Sequence, residues 1–221
     1  MKTFLISILF VLYPLLSSGQ QIGLSGGYCQ NHFHDFRKDE GHMITDYEEG
    51  PGYSFNINLD NVYLDTFLIR FSLNFTKYLG SIRTTDGGLG GGSTTKADVE
   101  KYALGLSIFP INIKLFKELR LNFGGEFSYL VNSKVNGTQS SWNISSGGNN
   151  VDLDDGSVDI FKEFNFGIVS RLGYNIKLFK HWFLLPEYNF YLGLTNEFDD
   201  LESNVYSFRH YFMLGVAYRV K

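Results

Sequence analysis

The chain has 221 residues, with 19 Lys and Arg against 23 Asp and Glu, for a formal net charge of −4. That balance offers no electrostatic footprint for nucleic acid, so nucleic-acid binding is set aside. A single cysteine, Cys29, excludes an internal disulfide, and 21 Phe, 14 Tyr and 24 Gly beside four Pro favour strands and turns over helices.

The first residues combine Lys2, an apolar run from Phe4 to Leu16 and the small residues Ser17, Ser18 and Gly19. This pattern predicts a secretory signal peptide over 1–19 and a single β-barrel domain over 20–221. Cys29 lies too far past the expected cut to read as a lipid-acceptor cysteine. No later stretch supplies the roughly 20 consecutive apolar residues that a membrane-crossing helix needs.

From there the dominant signal is apolar and polar alternation at period two, which separates the faces of a strand. Ile22, Leu24, Gly26 and Tyr28 make a first apolar row, Tyr53, Phe55, Ile57 and Leu59 a second, and Phe67, Ile69, Phe71, Leu73 and Phe75 a third. Tyr102 to Ile108, Leu119 to Val131, Phe164 to Ile176, Trp182 to Leu194 and Phe208 to Val220 continue the series in steps of two. Eight strands result, most of them able to reach the roughly 9 to 11 residues that a tilted strand needs to cross a bilayer. Short turns near 61–65, 111–118 and 177–181 alternate with long polar loops near 34–51, 79–98, 133–160 and 196–206. This asymmetry is that of outer-membrane barrels. The expected fold is all-β: an eight-stranded antiparallel up-and-down transmembrane β-barrel in the outer membrane, with both termini periplasmic. Two short turns share the sequence Asn-Ile-Lys-Leu-Phe-Lys, at Asn112 to Lys117 and Asn175 to Lys180. Duplicated hairpins and recurrent turn chemistry explain the repeat equally well.

If the apolar rows meet lipid, the opposite rows line the lumen. These include Ser54, Asn56, Asn58, Asn122, Glu163, Asn165 and Tyr211, with Arg70, Arg120, Glu126, Arg171, Glu187, Arg209 and Arg219 expected to form a charge network. Charges in a narrow lumen persist only when paired. Arg70, Arg171 and Glu187 fall at similar depth, with Glu126 further in. They predict a plugged lumen, because eight strands leave room for little more than side chains.

The later half carries Phe164-Asn165-Phe166-Gly167, Tyr191-Leu192-Gly193-Leu194-Thr195-Asn196 and the ending Gly215-Val216-Ala217-Tyr218-Arg219-Val220. With these runs the chain resembles the outer-membrane β-barrel family of Bacteroidetes that includes PorT-like proteins. The resemblance covers essentially the whole chain past the signal and is strongest from Pro110 onward, but its motifs are those of strands and turns. It implies fold and location, with PorT itself implicated in protein secretion. The alternating last strand looks like the signal read by the barrel-assembly machinery, although Lys221 replaces the terminal aromatic of the proteobacterial form.

Sites of chemistry are weaker. His32, His34 and His42 with Asp35, Asp39 and Glu40 match no zinc spacing. Asp152, Asp154, Asp155, Gly156 and Asp159 depart from a calcium loop, and the glycines from Gly87 to Gly92 read as a flexible loop. No metal or cofactor is expected. The expected function is that of a non-enzymatic barrel surrounded by outer-membrane lipid, with loops or turns contacting envelope or secretion proteins. A small gated conduit is one alternative. The other is an outer-leaflet lipid hydrolase using His210 and Ser170, which lacks a neighbouring acid.

Overall fold

Backbone polar groups in hydrocarbon have no water to bond, so a strand can cross a bilayer only if both of its edges are paired. In the computed structural model, which describes residues 20–35, 43–64, 67–88, 91–143, 147–153, 161–199 and 204–220, ring closure meets this condition. The strands are β1 Gln21–Asp35, β2 Met43–Leu64, β3 Phe67–Gly88, β4 Gly91–Phe116, β5 Leu119–Asn143, β6 Gly147–Leu153, β7 Phe164–Tyr174, β8 Ile176–Lys177, β9 Trp182–Gly193 and β10 Val205–Arg219. Antiparallel pairing runs β1–β2–β3–β4–β5–β7–β9–β10. β10 then returns to β1 from Gln21↔Arg219 to Asp35↔Val205 and closes an eight-stranded barrel. β6 extends the sheet beside β5, and the two-residue β8 pairs with β9. The segment 1–19 lies outside the described residues.

The alternation divides the wall into two environments. Leu24, Phe55, Leu73, Leu106, Phe127, Ile168 and Leu214 point outward and are exposed, while Ser25, Ser54, Asn74, Ser107, Ser128 and Met213 point inward and are buried. A belt of exposed aliphatic and aromatic side chains around a polar interior inverts the soluble arrangement and suits a lipid surround.

Bulges re-phase the strands where the simple alternation stops. Phe109 and Pro110 together oppose Gly124, since Ile108 pairs with Gly125 and Ile111 with Phe123. Proline has no N–H to give a ladder and is accommodated in a bulge. A Cβ on Gly124 would lie 1.9 Å from the Ile108 carbonyl oxygen, which explains the glycine there. Past the bulge, Ile111, Ile113 and Leu115 again face out, so β4 runs to Phe116 and the turn expected over 111–118 shrinks to Lys117 and Glu118. A second bulge sets Asp60 and Asn61 opposite Arg70, with Asn61 at φ 59°, a left-handed conformation that asparagine tolerates. β2 therefore continues to Leu64 where a turn from residue 61 was expected.

The polar stretches expected as loops are largely strand. β3 and β4 stay paired through Thr84↔Thr95, Gly87↔Gly92 and Gly88↔Gly91, so these four glycines lie in paired strands where a flexible loop was expected. β5 continues to Asn143 and adds β6, and β2 begins at Met43. Together they carry a sheet beyond one end of the barrel. Its β-branched threonines suit strands, yet their two faces are both polar and show no hydrophobic alternation.

Leu106→Arg places a charge on the lipid face near the middle of the wall and is expected to cost about 2 to 4 kcal/mol. Urea unfolding in lipid vesicles measures it. Unchanged stability would contradict the face assignment.

Candidate functional site

The bulge at Asp60 and Asn61 turns two consecutive side chains into the lumen, and that geometry builds the lower layer of the interior. Arg70 Nη1 donates to Asp60 Oδ1 at 3.0 Å, and Arg70 Nη2 donates to Glu187 Oε2 at 3.1 Å. Arg171 pairs with the other oxygen of Glu187 and donates to Asn122 Oδ1 at 2.8 Å. Glu187 thus sits between two guanidiniums contributed by β3 and β7, on the opposite wall from Asp60. All four charged side chains are buried.

Above this tetrad lies a layer of hydroxyls and amides. Asn58 Nδ2 donates to Ser25 Oγ at 3.0 Å, and Ser72 Oγ donates to Asn58 Oδ1 at 2.7 Å. Asn74 Nδ2 and Ser107 Oγ both donate to Glu126 Oε2, at 2.9 and 2.8 Å. Arg209 approaches the other Glu126 oxygen at 4.0 Å and lies 3.7 Å over the Tyr191 ring. The cavity left between Arg70, Asn74, Glu126, Arg171 and Tyr211 measures ≈ 10 Å³, about the space of one water.

The far half of the lumen departs from the expected polar lining. Cys29, Phe33, Tyr78, Val99, Phe161, Phe198 and Val205 form a buried apolar cluster at the end nearest the extended hairpins. The Phe33 ring occupies the space beside Gly80, where a Cβ would come within 2.5 Å of it. Phe161 and Phe198 pair as an isolated bridge outside the wall strands and fold across the mouth. Lys101, from β4, reaches this cap: its Nζ donates to Glu197 Oε2 at 2.7 Å and lies 3.9 Å from the Phe161 ring centroid. Ser207 donates to the other Glu197 oxygen. Glu197 belongs to the β9–β10 connection. Burial raises its carboxyl pKa, yet Lys101 and Arg209 outweigh that and hold it below the usual carboxylate range.

The buried charges balance. Arg70, Lys101, Arg171 and Arg209 face Asp60, Glu126, Glu187 and Glu197, four of each sign among the described residues. Of the seven residues singled out in the sequence, Arg70, Glu126, Arg171, Glu187 and Arg209 stand inside this arrangement. Arg120 and Arg219 lie outside it. They sit on the terminal turns of their strands, half-buried, where Arg120 donates to Asn61 Oδ1 at 2.8 Å and Arg219 stacks 4.4 Å over Phe183. Glu163, expected in the lumen, is exposed, because β7 begins only at Phe164 and the chain before it has already turned onto the lip. Sequence reasoning passed over Asp60, Lys101 and Glu197. Lys101 shares the parity of Ala103, Gly105 and Ser107, which was the available signal; Glu197 sits in a connection that no strand pattern covers.

On the outer surface, His32 and His210 meet edge to face at 5.4 Å between ring centroids. The Tyr188 hydroxyl is 2.6 Å from His210 Nδ1, and His32 Nδ1 is 3.0 Å from Glu49. Ser170 pairs with Phe190, which pairs in turn with His210, so a whole strand separates Ser170 from the imidazole. Among the described residues no group of three or more histidine, cysteine or carboxylate side chains is placed to hold a metal. His42, Asp39, Glu40, Asp154, Asp155, Gly156 and Asp159 lie outside the described residues.

One family model agrees with the architecture. The family model described as outer membrane protein beta-barrel domain matches residues 17–199. Among solved structures, Neisserial surface protein A is 14% identical, with a TM-score of 0.45, over 92% of this chain and 98% of that one. OprG from Pseudomonas aeruginosa is 11% identical, with a TM-score of 0.40, over 92% and 97%. Ail of Yersinia pestis, in complex with the heparin analogue sucrose octasulfate, is 11% identical, with a TM-score of 0.38, over 92% and 100%. A search of curated protein sequences finds no match.

Glu187→Ala leaves Arg70 and Arg171 facing each other without their shared carboxylate. The expected loss is about 3 to 5 kcal/mol in urea unfolding from vesicles, well beyond what the exposed Glu163→Ala costs. The cap has its own pH dependence. Since the folded pKa of Glu197 is depressed, its contribution is fully present above the unfolded value and is lost as pH falls through the lower folded value. The protection of the Lys162 and Glu197 amides from hydrogen exchange, relative to their intrinsic rates, is therefore expected to fall in acid below the usual glutamate range, and Glu197→Gln should remove that acid step.

Proposed function

The chain belongs to the outer membrane protein β-barrel domain family, and we propose that within it the protein is a non-enzymatic barrel with a sealed lumen, acting through surfaces outside the bilayer. Its partners in this reading are envelope or secretion proteins, in keeping with the resemblance to the PorT-like barrels of Bacteroidetes. Both termini are periplasmic, the barrel-assembly machinery inserts the chain, and β2 to β6 carry the extended hairpins outward from the cell.

One observation carries the reading: the lumen is filled, by the Asp60–Arg70–Glu187–Arg171 tetrad below and by the Lys101–Glu197 pair inside its aromatic cap above. An interior so occupied leaves activity to the exterior. There the largest feature is the sheet of β2 to β6, on which Ile44, Trp142 and Val151 are exposed. The hydrolase reading gains no support, since Ser170 stands across β9 from His210.

A photo-crosslinking residue at Trp142 is expected to capture a discrete envelope protein in intact cells, whereas one at the lipid-facing Leu106 is not. Absence of any adduct at Trp142, together with steady ion conductance of the purified barrel in planar bilayers, would contradict the proposal and favour the conduit. Glu197→Gln sharpens the comparison. With the tetrad still in place below the cap, the variant is expected to remain non-conducting, while a barrel gated at its mouth would open.

A further inference from the structure

The repeated Asn-Ile-Lys-Leu-Phe-Lys sequence acquires a spatial meaning in the fold. Its copies end β4 and follow β7, and because β5 pairs with β7 from Leu119↔Tyr174, the two turns lie side by side on the short-turn rim. Asn175 N donates to the Glu118 carbonyl at 3.2 Å and ties one to the other. At the same motif position, Phe116 and Phe179 are 65% and 70% exposed, the two most exposed large apolar side chains among the described residues. Leu115 and Leu178 beside them are exposed as well.

Cations surround these apolar tips. Lys114, Lys117 and Arg120 flank the first turn and Lys177 and Lys180 the second, against the single carboxylate of Glu118. The four lysines are exposed and make no ion pair among the described residues, although the Lys117 ammonium lies 5.3 Å over the Phe116 ring. A cleft of ≈ 400 Å³ opens between the turns and the end of β10, lined by Lys177, Lys180 and Arg219, which outnumber the one carboxylate there, Glu118, with Tyr174 and Phe183 forming its walls. In a chain that is acidic overall, this rim concentrates positive charge.

We propose that the paired Lys-Leu-Phe-Lys turns are a binding platform for the phosphate headgroup of an anionic phospholipid. The leucines and phenylalanines enter the acyl boundary. The lysine stems lie along that apolar surface and bring their ammonium groups up to the headgroup phosphate. Lys177, Lys180 and Arg219 hold one such phosphate in the cleft, and Lys114 and Lys117 hold lipid at the neighbouring turn. An acidic protein would meet the same charges, but exposed Leu-Phe pairs at the edge of a lipid-facing belt match a membrane surface better. Assigning the lipid to the periplasmic leaflet rests on the orientation proposed above; the headgroup chemistry does not.

Trp182 lies on the same rim and is half-exposed, whereas Trp142, the other tryptophan, is on the extended hairpins. A Trp142→Phe protein therefore reports from the rim alone. Folded into vesicles containing lipids with brominated chains, its Trp182 fluorescence is expected to be quenched by phosphatidylglycerol in preference to phosphatidylcholine. The preference should be on the order of tenfold in relative association and should fall to near unity in Lys177→Gln/Lys180→Gln. Equal quenching by the two lipids in the parent protein overturns the proposal even if the double variant fails to insert, and so does a preference that survives the double substitution. Loss of the preference on adding inorganic phosphate would reassign the cleft to free phosphate and overturn the lipid assignment. Because the vesicles present the same lipid to both ends of the barrel, an inverted orientation would leave the expected result unchanged.

Discussion

Closing eight strands into a ring produces an interior that neither bulk water nor lipid can solvate, so a charge placed there persists only if another neutralises it. The rest of the structure answers that constraint. Four buried cations meet four buried carboxylates, drawn from β2, β3, β4, β5, β7, β9, β10 and the β9–β10 connection. Neighbouring strands supply some of the pairs, Asp60 with Arg70 on β2 and β3 and Arg171 with Glu187 on β7 and β9, but the network also reaches across the ring. Arg70 on β3 needs Glu187 on β9, across the barrel, and Lys101 on β4 needs Glu197 beyond the end of β9. These cross-barrel contacts form only when the ring is closed, which ties the chemistry of the lumen to the topology of the wall.

The two halves of the lumen meet the constraint differently. Toward the chain termini, guanidiniums and carboxylates bond directly, with amides and hydroxyls taking up remaining positions. Toward the extended hairpins, aromatic rings from β1, β3 and two connections exclude water and leave one ammonium, Lys101, held by a carboxylate and a ring face. The outer surface is divided as well: acidic and threonine-rich hairpins at one end, an apolar belt, and a basic Leu-Phe rim at the other. A barrel built this way presents chemically distinct surfaces at its two ends.

Much of this was legible in the sequence wherever one face of a strand met lipid. Apolar rows such as Phe164, Phe166 and Ile168 identify the wall, and parity then places Arg70, Arg171, Glu187 and Arg209 inside. The signal fails for physical reasons. Alternation marks a strand only when its two faces meet different surroundings, and beyond the bilayer Thr84, Thr85, Thr94 and Thr95 face water on both sides while remaining paired. Bulges shift parity without a hydrophobic cue, so Asn61 looks like the start of a turn although it points into the lumen beside Asp60. Glu197 and the Phe161 and Phe198 cap lie in connections, where position is set by tertiary contacts with Lys101 and Ser207 rather than by local pattern.

The sealed lumen is tested most directly at Cys29, the chain's single cysteine, which points inward with no exposed surface. The folded barrel in vesicles would be treated with a small charged methanethiosulfonate reagent, alongside the same protein unfolded in urea. The unfolded thiol is expected to be modified at once, and the folded thiol to resist for as long as the barrel stays folded. Prompt modification of the folded protein would show water and solute reaching the middle of the lumen and would contradict a filled interior.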